Sequence, residues 1–80
     1  MEELVIELLA EELKRDPATI KLTDTLTQDL RVDSLDTVEL IMKLEHEIGV
    51  EVLDSEITDV SDVQSIIALA TKMQERKNAN

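Results

Sequence analysis

The sequence predicts an all-α fold, a small four-helix bundle of three longer helices and one short helix, with a long loop after the first. Apolar residues recur at helical spacing in three separate runs, and no period-2 alternation persists long enough to make a sheet. The one proline and the one glycine stand where helices should stop. At 80 residues the chain predicts a single domain over 1–80, near the size at which one core supplies only marginal stability. That leaves no room for an enclosed catalytic cleft beside the core.

The first helix is predicted from about Glu2 to Arg15. Val5, Ile6, Leu9, Ala10 and Leu13 gather on one face, Glu2 and Glu3 sit at the positive end of the helix dipole, and Lys14 and Arg15 at the negative end. Asp16-Pro17 stops it, because the residue before a proline avoids the helical region. From Pro17 to Val32 runs a connection rich in Thr and Asp, with a short helical turn expected near Asp16 to Ile20. A loop of this length wraps the core or carries function, and Ile20, Leu22, Leu26 and Leu30 are spaced as anchors for wrapping.

The second helix is predicted from Ser34 to about Ile48. At about 100° per residue its apolar positions separate into two stripes. Leu40, Ile41, Leu44 and Ile48 form the expected core face; Leu35, Val38 and Met42 form another, flanked by Glu39, His46 and Glu45. One core needs only one stripe. The second reads either as a surface for a basic, partly apolar partner or as a face packed under the long loop.

Gly49 is placed as a left-handed cap ending this helix. Val50, Val52 and Leu53 follow as an apolar link, and Asp54 to Asp59 is predicted as a short third helix with Ile57 facing in. The last helix is predicted to open with Ser61 and Gln64 in capping-box spacing. Val63, Ile66, Ile67, Ala70 and Met73 make its inner face, Lys72, Arg76 and Lys77 suit its negative end, and Asn78-Ala79-Asn80 is expected to fray.

The formal net charge of -11 at pH 7 argues against nucleic acid and anionic membrane surfaces, which need Lys and Arg to meet phosphate, and points to basic partners. Ten acids against the one base Lys43 fall between Asp33 and Asp62. There is no Cys, so the chain has neither a disulfide framework nor a thiolate metal site. No run approaches the roughly 20 apolar residues of a membrane span. The acidic start Met1-Glu2-Glu3 is unlike a secretory signal, so a cytoplasmic location, or a mature organellar form, is expected.

Around Ser34 these features converge. Asp33 is positioned to accept from the free N–H groups of the first turn, Asp36 adds charge at the positive end of the dipole, and Ser34 points outward. Nucleophilic catalysis by Ser34 would need a base within hydrogen-bond reach. The only histidine, His46, lies roughly 18 Å along the same helix at about 1.5 Å per residue. Ser34 is therefore read as another enzyme's substrate, and His46 as a solvated residue. No Asp-x-Asp-x-Asp-Gly loop is present, so no metal site is assigned.

The octet Asp33-Ser34-Leu35-Asp36-Thr37-Val38-Glu39-Leu40 resembles the prosthetic-group attachment site of acyl carrier proteins. From Leu8 to about Met73 the apolar spacing lies on the bacterial fatty-acid-synthesis type without a gap. The resemblance implies a 4′-phosphopantetheine arm joined covalently to Ser34, taken from coenzyme A by a magnesium-requiring phosphopantetheinyl transferase. Its terminal thiol would hold acyl groups as thioesters for delivery to partner enzymes of fatty-acid or related lipid and polyketide biosynthesis.

On the same resemblance the chain is a carrier and not an enzyme, and a monomer. It would dock basic surfaces of the transferase and of acyl-processing enzymes through Asp33, Leu35, Asp36, Val38, Glu39, Met42, Glu45 and Glu51. Leu40, Leu44, Ile57, Val60 and Ala68 are placed around a pocket for the acyl chain; an interior without aromatic rings can part to admit it.

Several positions depart from the family pattern. Leu30-Arg31-Val32-Asp33-Ser34-Leu35 has Arg31 where glycine is common, Val52-Leu53 stands for Ile-Pro, and Leu26 for phenylalanine, while Lys43 and His46 dilute the acidic helix. Arg31 tolerates a positive φ less well than glycine and puts a cation beside the arm. A specialised carrier, an aminoacyl or D-alanyl carrier, and an unmodified acidic helical adaptor are the other readings.

Overall fold

A computed structural model describes residues 1–79; of the fraying expected at the C-terminus, the part on Asn80 lies outside the described residues. Four α-helices follow in order: α1 (Glu2–Leu13), α2 (Ser34–Ile48), α3 (Asp54–Thr58) and α4 (Val63–Ala79), with one turn of 3-10 helix at Pro17–Thr19. Asn78 and Ala79 continue α4 rather than fraying from it. Helices α1, α2 and α4 pack on one another around a wholly aliphatic core, with Val5, Leu44, Val63, Ile66, Ala70 and Met73 all at 0% exposure.

Helix α1 ends two residues before the predicted boundary. Lys14 turns left-handed (φ 55, ψ 48), and both its N–H and that of Arg15 donate to the Ala10 carbonyl. Lys14 and Arg15 thus lie beyond the helix, whose last turn carries no basic residue. Its inner face is Val5, Leu8, Leu9 and Ala10, with Ile6 and Leu13 half-buried at the edges. Leu8 was not among the expected core residues. Asp16 is extended before the proline, and its carboxylate accepts from the Ala18 N–H, starting the 3-10 turn.

The connection up to Asp33 wraps the core as its spacing implied, but with one anchor exchanged. Ile20, Leu26, Leu30 and Val32 are buried, whereas Leu22 is 38% exposed. The loop is ordered by its own polar groups: the Asp29 carboxylate accepts from the N–H and hydroxyl of Thr25, whose Oγ1 accepts from the Asp29 N–H. Leu30 and Val32 donate to the carbonyls of Thr25 and Leu26, so both neighbours of Arg31 are fixed. Reversing the chain between two buried side chains puts Arg31 at φ 56.

The same loop closes onto the start of α4. Leu26 donates to the Ser61 carbonyl, while Val63 and Gln64, whose N–H groups have no partner within their helix, donate to the carbonyls of Asp24 and Leu22. This displaces the predicted cap by one residue. Asp62 and Ser65 form the reciprocal pair, the Asp62 carboxylate accepting from the Ser65 N–H and Ser65 Oγ from the N–H of Asp62, rather than Ser61 and Gln64. Leu69 is buried in α4, and Ile67, predicted inside, is half-buried. Helix α3 stops at Thr58 with Asp59 as its cap, and Ile57 packs half-buried against the core.

Candidate functional site

Helix α2 has the predicted bounds and caps. Asp33 is extended, its Oδ1 accepts from the Asp36 N–H at 2.8 Å, and Gly49 closes the helix in the left-handed region at φ 83. Ser34 is the first helical residue and is exposed. Among the described residues its hydroxyl makes no hydrogen bond, whereas Thr37 Oγ1 is turned back onto the Asp33 carbonyl. The entrance to α2 therefore presents one outward hydroxyl beside a buttressed carboxylate.

The two stripes of α2 separate as the spacing required. Leu40, Ile41, Leu44 and Ile48 are buried; Leu35 is 66% exposed, Val38 42% and Met42 60%. The long loop does not cover the second stripe. Asp33, Glu39 and Glu51 are exposed and Asp36 is half-buried; Asp36 and Glu39 directly follow Leu35 and Val38 in α2, whereas Glu51 lies beyond the helix. Glu45 is drawn inward instead: its carboxylate accepts from the Val52 N–H at 2.8 Å and ties the link after Gly49 to α2. His46 is exposed on the far half of the same helix.

Helix α1 contributes a residue that the sequence did not reveal. Carboxylate oxygens of Glu12, Asp36 and Glu39 lie within 4.8 Å of one another, and Lys43 Nζ is 2.8 Å from Glu12 Oε2. The Lys43 ammonium, and then the hydrogen bond with Glu39, hold the Glu12 carboxyl below its ordinary range. Glu39, sharing that hydrogen bond with an already ionised neighbour, is raised. Nothing in the spacing of either helix shows that Glu12 meets α2, since the contact depends on how the helices pack.

The residues expected around an acyl chain divide into two groups. Leu40 and Leu44 are in the closed core, Ile57 and Val60 are half-buried, and Ala68 is exposed. Val60 and Ala68 meet at a cleft of about 170 Å³ between α3 and α4, with Leu69 on its inner side and Glu56, Asp59 and Lys72 around it. A second, wider groove of about 380 Å³ lies between α1 and α2, touching Leu8, Glu11, Met42, Lys43, His46 and Glu47. Among the described residues no helix is long and apolar enough to cross a membrane.

Residues 3–70 match the family described as "Phosphopantetheine attachment site". The acyl carrier proteins of Rickettsia typhi and Rickettsia prowazekii are each 40% identical over 74 residues, covering 92% of this chain and 86% of theirs. The crystal structure of an acyl carrier protein from Thermotoga maritima superposes with a TM-score of 0.79 at 27% identity, over 92% of this chain and 86% of that one.

Proposed function

The chain belongs to the acyl carrier protein family, with the phosphopantetheine attachment domain over most of its length, and on that footing we propose that the Ser34 hydroxyl is where the arm is joined. The observation carrying this assignment is the exposed, unbonded hydroxyl at the first residue of α2. The residues present suit the group. An oxygen free of intrachain partners can enter a transferase site without breaking a bond of its own, and the Asp33 cap keeps the turn in place while it does so. When bound, the arm supplies a terminal thiol on which acyl groups are held as thioesters, the reactive sulfur that a chain without cysteine lacks.

The rest of α2 is read as the docking face. Leu35, Val38 and Met42 offer an apolar strip, and Asp33, Asp36, Glu39 and Glu51 offer charge to basic surfaces of the transferase and acyl-processing enzymes. Glu45 belongs to this face by position, although its hydrogen bond to Val52 gives it an internal duty as well. Lys43 interrupts the acidic face less than its charge implies, because Glu12 already pairs with it. The chain acts as a single domain over residues 1–80, a monomeric carrier in the cytoplasm that leaves catalysis to its partners.

The test is direct. Given coenzyme A, magnesium and a phosphopantetheinyl transferase, the apo-protein gains the mass of one arm, and Ser34→Ala gains none. Equal labelling of the two proteins would overturn the assignment.

A further inference from the structure

Arg31 is the only base between Lys21 and Lys43, and it stands three residues before Ser34. Its neighbours decide where it points. Leu30 and Val32 are buried and their N–H groups donate to the carbonyls of Thr25 and Leu26, so the left-handed turn at φ 56 leaves the Arg31 side chain exposed on the loop entering α2. The ion pairs among the described residues are Lys43–Glu12 and Arg76–Glu56, and neither includes Arg31. In a chain of net charge -11 this guanidinium is held against no carboxylate. Keeping an arginine in the left-handed region where a glycine would sit freely costs stability, and strain of this kind collects at functional sites.

The surroundings of Ser34 give that cation a use. Asp33 precedes the serine, with its carboxylate fixed by the bond from the Asp36 N–H, and Asp36 follows in the same turn. Attachment replaces the hydroxyl proton with a phosphodiester, so a further anion arrives among carboxylates that repel it. The next base along the chain, Lys43, is already taken by Glu12. Arg31 is not taken, and three residues of chain hold its Cα within about 11 Å of that of Ser34. An extended arginine side chain and a seryl phosphodiester close that span between them.

We propose that Arg31 anchors the base of the arm, its guanidinium meeting the phosphodiester on the Ser34 oxygen. This rests on the attachment reading above and adds a residue to it. A planar guanidinium can meet two phosphate oxygens at once, which an ammonium cannot do. Anchored there, the base of the arm is drawn toward the long loop, and the strip of Leu35, Val38 and Met42 stays open to partners.

The test compares apo and arm-bearing forms of the wild type, Arg31→Gln, Arg31→Lys and Lys77→Gln. Glutamine keeps the Cβ, so the cost of the left-handed turn is common to both forms and cancels. Urea melts followed by helical circular dichroism give a folding constant for each. Attachment should lower that constant about 1.5- to fivefold more in Arg31→Gln than in wild type, with Arg31→Lys between them. Lys77→Gln, an equal charge change near Gly49 at the far end of α2, should match wild type. Added salt should shrink the difference. An equal effect of the arm in wild type and Arg31→Gln would overturn the proposal.

The contact itself is read by NMR. On attachment the Nε–H signal of Arg31 should move while that of Arg76 stays, and the phosphorus resonance should differ between wild type and Arg31→Gln. An identical phosphorus resonance in the two would overturn the anchor; joined to a raised transferase KM for apo Arg31→Gln, it would assign Arg31 to docking instead. Failure of the attachment reading shows separately, as absence of the arm's mass on Ser34.

Discussion

Lys43 Nζ on α2 lies 2.8 Å from Glu12 Oε2 on α1, joining the helix that begins with Ser34 to the helix packed behind it. The only base between Asp33 and Asp62 is thus already paired within the chain. In Lys43→Gln the Glu12 carboxyl loses the main cause of its depression, so its titration midpoint should rise. A carboxyl-detected NMR titration reads this directly, and an unmoved Glu12 midpoint would contradict the pairing.

Titration also separates the two ion pairs from the carboxyl pair. Glu12 and Glu56 are depressed in the fold, first by their hydrogen bonds from Lys43 and Arg76. A depressed acid contributes stability that is present above its unfolded pKa, near 4.5, and is lost as pH falls through the lower folded value. Glu39 is raised, so its contribution is present below the unfolded pKa and is lost as pH rises through the folded one. The stability difference between wild type and Arg76→Gln should accordingly be full at neutral pH and close below about pH 4.5. Urea melts at several pH values measure it.

Arg31 at φ 56 and Gly49 at φ 83 make opposite predictions from the same backbone region. Arg31→Gly should stabilise the fold by about 0.5–1 kcal/mol by relieving a side chain from a left-handed turn. In Gly49→Ala the added Cβ would meet only Lys77 Nζ at 3.8 Å, so its cost is conformational, about 1 kcal/mol. With no aromatic residue to fluoresce, helical circular dichroism is the probe.

The two stripes of α2 should respond differently to truncation. Leu44, at 0% exposure, should lose about 2–5 kcal/mol on change to Ala, enough to unfold much of so small a domain. Leu35, at 66%, should change stability by no more than about 0.5 kcal/mol, while Leu35→Ala raises the transferase KM. Equal KM for wild type and Leu35→Ala would remove Leu35 from the docking face.

The contrast between these stripes was legible in the sequence because a helix repeats its geometry. Once Ser34 and Gly49 bound α2, every intervening side chain has a direction. The loop offers no such period, and Leu22 and Val32 exchanged places as anchors because hydrogen bonds such as Thr25–Asp29 set the path there. The α4 cap was mistaken by one residue because two capping pairs overlap, and the choice depended on loop carbonyls meeting Val63 and Gln64. Glu12–Lys43 and Glu56–Arg76 join distant segments, so neither pairing exists at the level of local pattern.

The loop carbonyls that complete α4 also impose an order on synthesis. Asp24 and Leu22 emerge from the ribosome some forty residues before the amides that they receive. A nascent chain can coil α2 early, but the segment leading into Ser34 is not fully secured until Val63 and Gln64 have been translated. Closure of the loop therefore waits for the start of α4, and a chain stopped short of Val63 would leave both carbonyls without these partners.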